Sequence, residues 1–233
     1  MATPLVIMIG ADKGGVGKTT VARALNDYLE FRHAGQRVFD AQWKAGDLVR
    51  FAPAAQVINL DNVDHQMTVF DSVKGVTLVD ICAGQLSPTL KALADVGLLD
   101  DVRAGHIALA LLHVIGPSLA SLREIAETAG AIGGGVRHLL VKNYVTDGGF
   151  AEWEKDERFA AALTAAAPHT VTIPHLKDRA AAELQRVGGS FAAFAADATR
   201  SRMLAGYVRQ WLAQCWREFE RVDLDKSIAA AIG

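Results

Sequence analysis

Apolar and helical-period segments alternate along the whole chain. Leu5 to Gly10 is a continuous apolar run, the pattern of a strand buried on both faces. From Thr19 to about Arg32 the apolar residues fall at Val21, Ala22, Leu25, Tyr28 and Leu29, which is helical spacing. Short strands are predicted at 37–40 and 76–81. A helix is predicted over 87–102, opened by Ser87 as cap and Pro88 at the first helical position. A strand over 106–115, a helix over 116–130 closed by Gly130, and a strand over 136–143 follow. An alanine-rich helix over 150–166 and a last strand over 169–174 complete the alternation, and helix-like sequence broken at Gly188-Gly189 runs to the end. Strand–helix alternation at this length predicts an α/β fold with a parallel sheet and helices on both faces. Without repeats or linkers, residues 1–233 read as one domain, with C-terminal helices over about 176–225.

The final helix, about 200–222, carries two apolar rows: Met203, Tyr207, Trp211, Cys215 and Phe219, and Leu204, Val208, Leu212 and Trp216. Packing on the sheet accounts for such a stripe, and contact with a partner is the alternative. Charge changes little: the net value of -2 over 233 residues gives no global attraction to nucleic acid or anionic membrane. The N-terminal apolar run is too short for a membrane span or a signal segment, so a cytoplasmic protein without membrane insertion is expected. Cys82 and Cys215 fit no CxxC or metal spacing and read as free thiols in a reducing compartment. The seven histidines form no metal-binding motif, and no nucleophile-elbow motif occurs.

Candidate chemistry concentrates in "GADKGGVGKTT" at 10–20. Gly17-Lys18-Thr19 ends a phosphate-binding loop placed between a strand and a helix. Gly14, Gly15, Val16 and Gly17 let backbone N–H groups converge on phosphate oxygens, and the helix N-terminus adds partial positive charge. Lys18 is expected on the β- and γ-phosphates, the Thr19 hydroxyl on Mg²⁺, and Thr20 beside the α-phosphate. Asp12 stands where the ordinary motif has its first glycine, next to a second lysine, Lys13. "VTLVDICAG" at 76–84 reads as the acidic strand end of such a site: Asp80 faces the crevice and can hold Mg²⁺ through water, and Ala83-Gly84 leaves room near the γ-phosphate.

"KGGVGKTT" resembles the deviant Walker A motif of the ParA/MinD ATPases, within the SIMIBI class of P-loop proteins. The resemblance covers about residues 4 to 175. It implies ATP/ADP and Mg²⁺ as ligands and a homodimer in the ATP state, in which Lys13 reaches the nucleotide of the other subunit. It also implies cargo positioning: partition, division-site or plasmid-transfer work, with an activating or cargo protein as partner. Relatives carry D-x-D at the second strand. Asp40 matches the first acid, which supports Mg²⁺, but Gln42 replaces the second. A glutamine can orient water but cannot take its proton, so slow or altered hydrolysis is expected; Asp47 could approach the site instead, but its spacing does not match the motif and it reads as a surface residue. Asn143 matches the residue that reads the adenine edge, and Pro174 and His175 match the segment lining the base. Cys82 reads as a core residue; one cysteine cannot hold the cluster of the related nitrogenase iron protein.

The loop Tyr144 to Phe150 reads as a surface loop, with a lid or partner-binding role as alternatives. Arg179, Arg186, Arg200, Arg202 and Arg209 are candidates for nonspecific DNA contact, against ordinary solvated helix faces. Two other functions stay open: a metabolic ligase or synthase of the same fold, like dethiobiotin synthetase, and a nucleotide-dependent scaffold with little ATPase activity.

Overall fold

The computed structural model describes residues 2–11, 13–71, 73–117, 122, 125, 132, 134–151, 153–159, 161 and 169–233. Seven strands form one sheet: β1 (Leu5–Gly10), β2 (Arg37–Asp40), β3 (Gln56–Val57), β4 (Val76–Asp80), β5 (Ala108–Ile115), β6 (Val136–Asn143) and β7 (His169–Ile173). Their order is β3-β2-β4-β1-β5-β6-β7 and every pairing is parallel. This is the α/β architecture expected from the sequence. Parallel strands need covered faces, and β1 shows the consequence: Leu5, Ile7 and Ile9 enter one apolar cluster, while Val6 and Met8 enter another on the opposite face.

The first cluster is closed by α1 (Lys18–Phe31), α5 (Asp178–Val187), α6 (Phe191–Ala196), α7 (Arg202–Arg221) and α8 (Leu224–Ile232). The second is closed by α2 (Val63–Phe70), α3 (Leu86–Asp95) and α4 (Leu98–Arg103). On α7, Val208, Trp211, Leu212, Cys215 and Phe219 are buried, so most of the apolar stripe packs inward, while Met203 and Tyr207 remain exposed. The Trp211 indole N–H donates to the Pro174 carbonyl at 2.6 Å and the Trp216 indole N–H to the Ala24 carbonyl at 3.3 Å. The chain's last helix, α8, buries Leu224, Ile228 and Ala231 in the same cluster.

Several boundaries differ from expectation, each for a local reason. The helix predicted over 87–102 is two helices, because Gly97 adopts φ 82 and ends the first. The first of them starts at Leu86 after Gln85, so Ser87 and Pro88 lie inside its first turn, where a missing N–H costs nothing. A two-residue strand, β3, and helix α2, capped by Asn62 on the His65 N–H, occupy a stretch with no predicted element. A further break separates α6 from α7 at 197–201, and helix continues beyond 225 to Ile232. The predicted helix 116–130 and the later part of 150–166 lie mostly outside the described residues; Ala151 and 153–155 form turns, and helical backbone appears at 157–159. Among the described residues no helix is long and apolar enough to cross a membrane.

The sheet also buries a histidine pair. His113 on β5 and His138 on β6 stack with ring centroids 5.3 Å apart, and their ring nitrogens meet at 3.0 Å. Burial, with His138 adding to it, pulls the His113 pKa down to about 3. A depressed histidine pKa favours the folded state above the unfolded value near 6.5, and that contribution is lost as pH falls towards 3. Replacing His113 with Gln should therefore flatten the acid limb of the stability curve. Urea unfolding of the two proteins between pH 6.5 and 4 should diverge by up to about 1.4 kcal/mol per pH unit, the weight of one proton. Parallel curves would show that His113 takes up its proton in the folded state.

Candidate functional site

The carboxyl ends of β1, β2 and β4 converge on the loop between β1 and α1, the crevice where parallel sheets bind ligands. Lys18 is the first residue of α1, and Gly17 precedes it in the left-handed conformation, φ 84. A Cβ on Gly17 would lie 2.1 Å from the Asn143 side-chain nitrogen. That nitrogen donates to the Val16 carbonyl at 2.8 Å. The end of β6 thus grips the phosphate loop, and only glycine fits beneath the grip. Asn143 is the last residue of β6, and one of its two amide N–H groups is used on the loop.

Gly14, Gly15, Gly17, Lys18, Thr19, Thr20, Asp40, Gln42 and Asp80 line one cleft of about 350 Å³, joined by Asp47, Cys82 and Ala83. The Thr19 hydroxyl donates to Asp80 Oδ2 at 2.9 Å. Asp80 is buried and its other oxygen has no hydrogen-bond partner among the described residues. Burial pushes its pKa up to about 7; the Thr19 hydrogen bond opposes the rise, and the charge of Asp40 adds to it. Asp40 pairs in register with Asp80, and burial raises its pKa too. Both Asp40 oxygens accept backbone N–H groups, Oδ1 from Gln42 at 3.0 Å and Oδ2 from Leu48 at 2.7 Å, so this carboxylate also shapes the loop that follows it. A hydroxyl, an orphaned buried carboxylate oxygen and a second carboxylate form a hard oxygen donor set that suits Mg²⁺.

Pro174, His175 and Asn143 line a second cavity of about 180 Å³, which shares Gly17 and Thr20 with the first. The remaining expected residues, Lys13 and Val16, border a third cleft with Gly14, Gly15 and residues of the Tyr144 to Phe150 loop, among them Val145, Thr146, Gly149 and Phe150. Lys13 is exposed there. Asp12 lies outside the described residues.

Sequence reasoning missed Arg23. It lines the second cavity, is only 7% exposed, and lies between the rings of Phe51 (3.5 Å) and Phe191 (4.2 Å). Burial lowers its pKa to about 10, against the pull of Asp27. The available signal was a charged pair four residues apart on an otherwise apolar helix face, which reads equally well as a solvated ion pair. Of the arginines expected at a DNA surface, Arg186 pairs with Glu183 at 2.6 Å and Arg200 with Asp197 at 2.9 Å, while Arg209 donates to the Ala195 carbonyl at 2.7 Å.

No protein-family model and no curated protein matches this sequence. Solved structures do match its fold. The septum site-determining protein MinD of Pyrococcus horikoshii, complexed with Mg-ADP, superposes with a TM-score of 0.56 at 17% identity over 94% of this chain and 96% of that one. A protein of Borrelia burgdorferi described as a plasmid partition protein, bound to AMPPNP, gives 0.53 at 12% identity over 94% and 99%. The chain has the ParA/MinD-type P-loop fold. MinD in the MinC:MinD cell division complex of Aquifex aeolicus gives 0.51 at 16% identity over 89% and 95%. At these identities the likeness establishes the fold, and the residues of the clefts carry the rest.

The carboxylate pair makes a direct prediction. Above pH 7 the buried Asp80 is charged in the folded protein at a cost, so Asp80→Asn should raise the melting temperature of the ligand-free protein at pH 8. The same variant should lose stabilisation by Mg²⁺ with ADP that the parent shows. Thermal unfolding with and without Mg-ADP checks both. Equal stabilisation of the two proteins would remove Asp80 from the metal site.

Proposed function

We propose that this chain is an ATP-dependent switch protein of the ParA/MinD type, closing into a homodimer on ATP and Mg²⁺ and reopening by hydrolysis. The observation that carries the proposal is the division of labour between the two lysines. Lys18 lines the phosphate cleft, whereas Lys13 lies on the outer face of the same loop, in a cleft it shares with the Tyr144 to Phe150 loop. A lysine on the outer face suits a nucleotide bound by a second copy.

In this reading the backbone N–H groups of Gly14 to Lys18 cradle the phosphates at the start of α1. Lys18 neutralises the β- and γ-phosphates, and Thr20 approaches the α-phosphate. Thr19, Asp40 and Asp80 would hold Mg²⁺, which would supply neutralisation of phosphate charge. Asn143, Pro174 and His175 border the base, and the Asn143 side-chain amide reads the adenine edge. Gln42 orients the attacking water. Lys13, entering from the partner copy, stabilises charge that develops on the transferring phosphoryl group. Two of the similar solved structures carry Mg-ADP and AMPPNP, which supports a nucleotide in this cleft.

A cargo or activating protein and a role in partition, division-site placement or plasmid transfer follow from the same type assignment. DNA contact has weaker support, since Arg186 and Arg200 pair with nearby acids and Arg209 donates to the Ala195 carbonyl of α6. The scaffold reading is favoured by Gln42, which cannot take a proton.

Light scattering with ADP, with ATP and with a non-hydrolysable analogue separates these readings. The switch requires a dimer with ATP or the analogue and a monomer with ADP. Lys13→Ala should weaken that dimer by about 2 kcal/mol or more, roughly thirtyfold, because a desolvated charge pair is lost. A monomer in every nucleotide state would defeat the switch and favour the metabolic enzyme. An intact dimer without turnover would favour the scaffold.

A further inference from the structure

Hydrolysis in a site of this kind uses a group that orients the attacking water or takes its proton, and Gln42 occupies that place without being able to accept a proton. The structure brings a carboxylate to the same cleft from five residues further along. Asp47 lines it together with Lys18, Thr19, Gln42 and Asp80. Its position follows from the local folding of the chain. The Gln42 carbonyl accepts the N–H groups of Ala45 (3.2 Å) and Gly46 (3.0 Å), which turns the chain back on itself. Lys44 and Gly46 take the left-handed conformation at φ 69 and φ 60 to close the turn. The Leu48 N–H then docks on Asp40 Oδ2 at 2.7 Å.

Gly46 and Leu48 are buried and Asp47 between them is exposed, so an accessible carboxylate sits on an anchored backbone. The anchoring continues downstream. The Gly189 N–H donates to the Arg50 carbonyl at 3.1 Å, the Arg50 guanidinium donates to the Gln185 carbonyl at 2.9 Å, and Phe51 stacks on Arg23. Asp80, 5% exposed and with one oxygen unpartnered, independently marks the cleft as a ligand site. The charge of Asp47 is felt by both Asp40 and Asp80, raising their pKa values slightly beyond what burial does.

We propose that Asp47 supplies the carboxylate that accepts the proton of the attacking water, with Gln42 beside it orienting that water. This inference rests on the ATP-switch reading above. The water oxygen forms a bond to the γ-phosphorus. The bond from that phosphorus to the β–γ bridging oxygen breaks, and its electron pair leaves on ADP. The water proton passes to an Asp47 oxygen and from there to solvent. The missing acid at position 42 is thereby offset by one delivered through the turn. A carboxamide plus a carboxylate can do jointly what one aspartate does in the D-x-D arrangement.

The test is Asp47→Asn, which keeps size and removes the basic oxygen on an exposed side chain. With saturating Mg-ATP, kcat should fall by about 100-fold, while ATP affinity by calorimetry should stay within about threefold, the split expected for a group that acts in the transition state alone. After a single dose of ATP, the closed dimer of the variant should persist in light scattering far longer than the parent's. Asp47→Glu should restore part of the turnover. Turnover within about threefold of the parent's would overturn the proposal, as would a defect cured by raising Mg²⁺, which would make Asp47 a metal-holding residue. A parent protein that binds ATP without hydrolysing it would overturn the proposal and leave nucleotide binding standing. A parent that binds no ATP would instead overturn the switch reading on which it rests.

Discussion

The hydrogen bond from the Asn143 amide to the Val16 carbonyl fixes the geometry on which the rest of the site depends. It ties the phosphate loop to the end of β6 and closes over Gly17, where a Cβ would collide with the amide nitrogen at 2.1 Å. The three clefts meet at this point. Gly17 borders the phosphate cleft and the base cavity, and Asn143 borders the base cavity and the outer cleft. Lys18 borders one of these clefts and Lys13 another.

Electrostatics around the phosphate cleft follow from the parallel register. Because β2 and β4 are neighbours, Asp40 and Asp80 end side by side, and the turn after β2 adds Asp47. Three carboxylates gather near one lysine in a partly dehydrated cleft, which is costly without a cation. The raised pKa values of Asp40 and Asp80 and the unpartnered Asp80 oxygen are two expressions of that cost. A divalent cation bound between the carboxylates would offset it.

How much of this was legible in the sequence depended on the range of the signal. Strands buried on both faces wrote themselves as continuous apolar runs, and the phosphate loop carried its own spacing, so β1, α1 and the acid at the end of β4 fell in place. Gly97 was overlooked as a helix end because apolar spacing continues across it. β3 has two residues, too few for any periodicity. Asp47 looked like a surface residue since its spacing from Asp40 matches no motif; the turn at 42–46 and the Leu48 anchor that bring it to the cleft are tertiary facts. Arg23 was hidden for a similar reason, because the rings that bury it come from positions 51 and 191. The family pattern put Asn143 beside the base, yet it could not tell that the amide would be occupied by the loop.

The central claim is that this anchored loop, with its carboxylate pair, binds a nucleoside triphosphate through Mg²⁺. Calorimetric titration of the protein with ATP, in Mg²⁺ and again in EDTA, tests it most directly. The account predicts one ATP per chain, bound in Mg²⁺ and weakened severely in EDTA. Binding of equal strength in both solutions, or no binding at millimolar ATP, would contradict it.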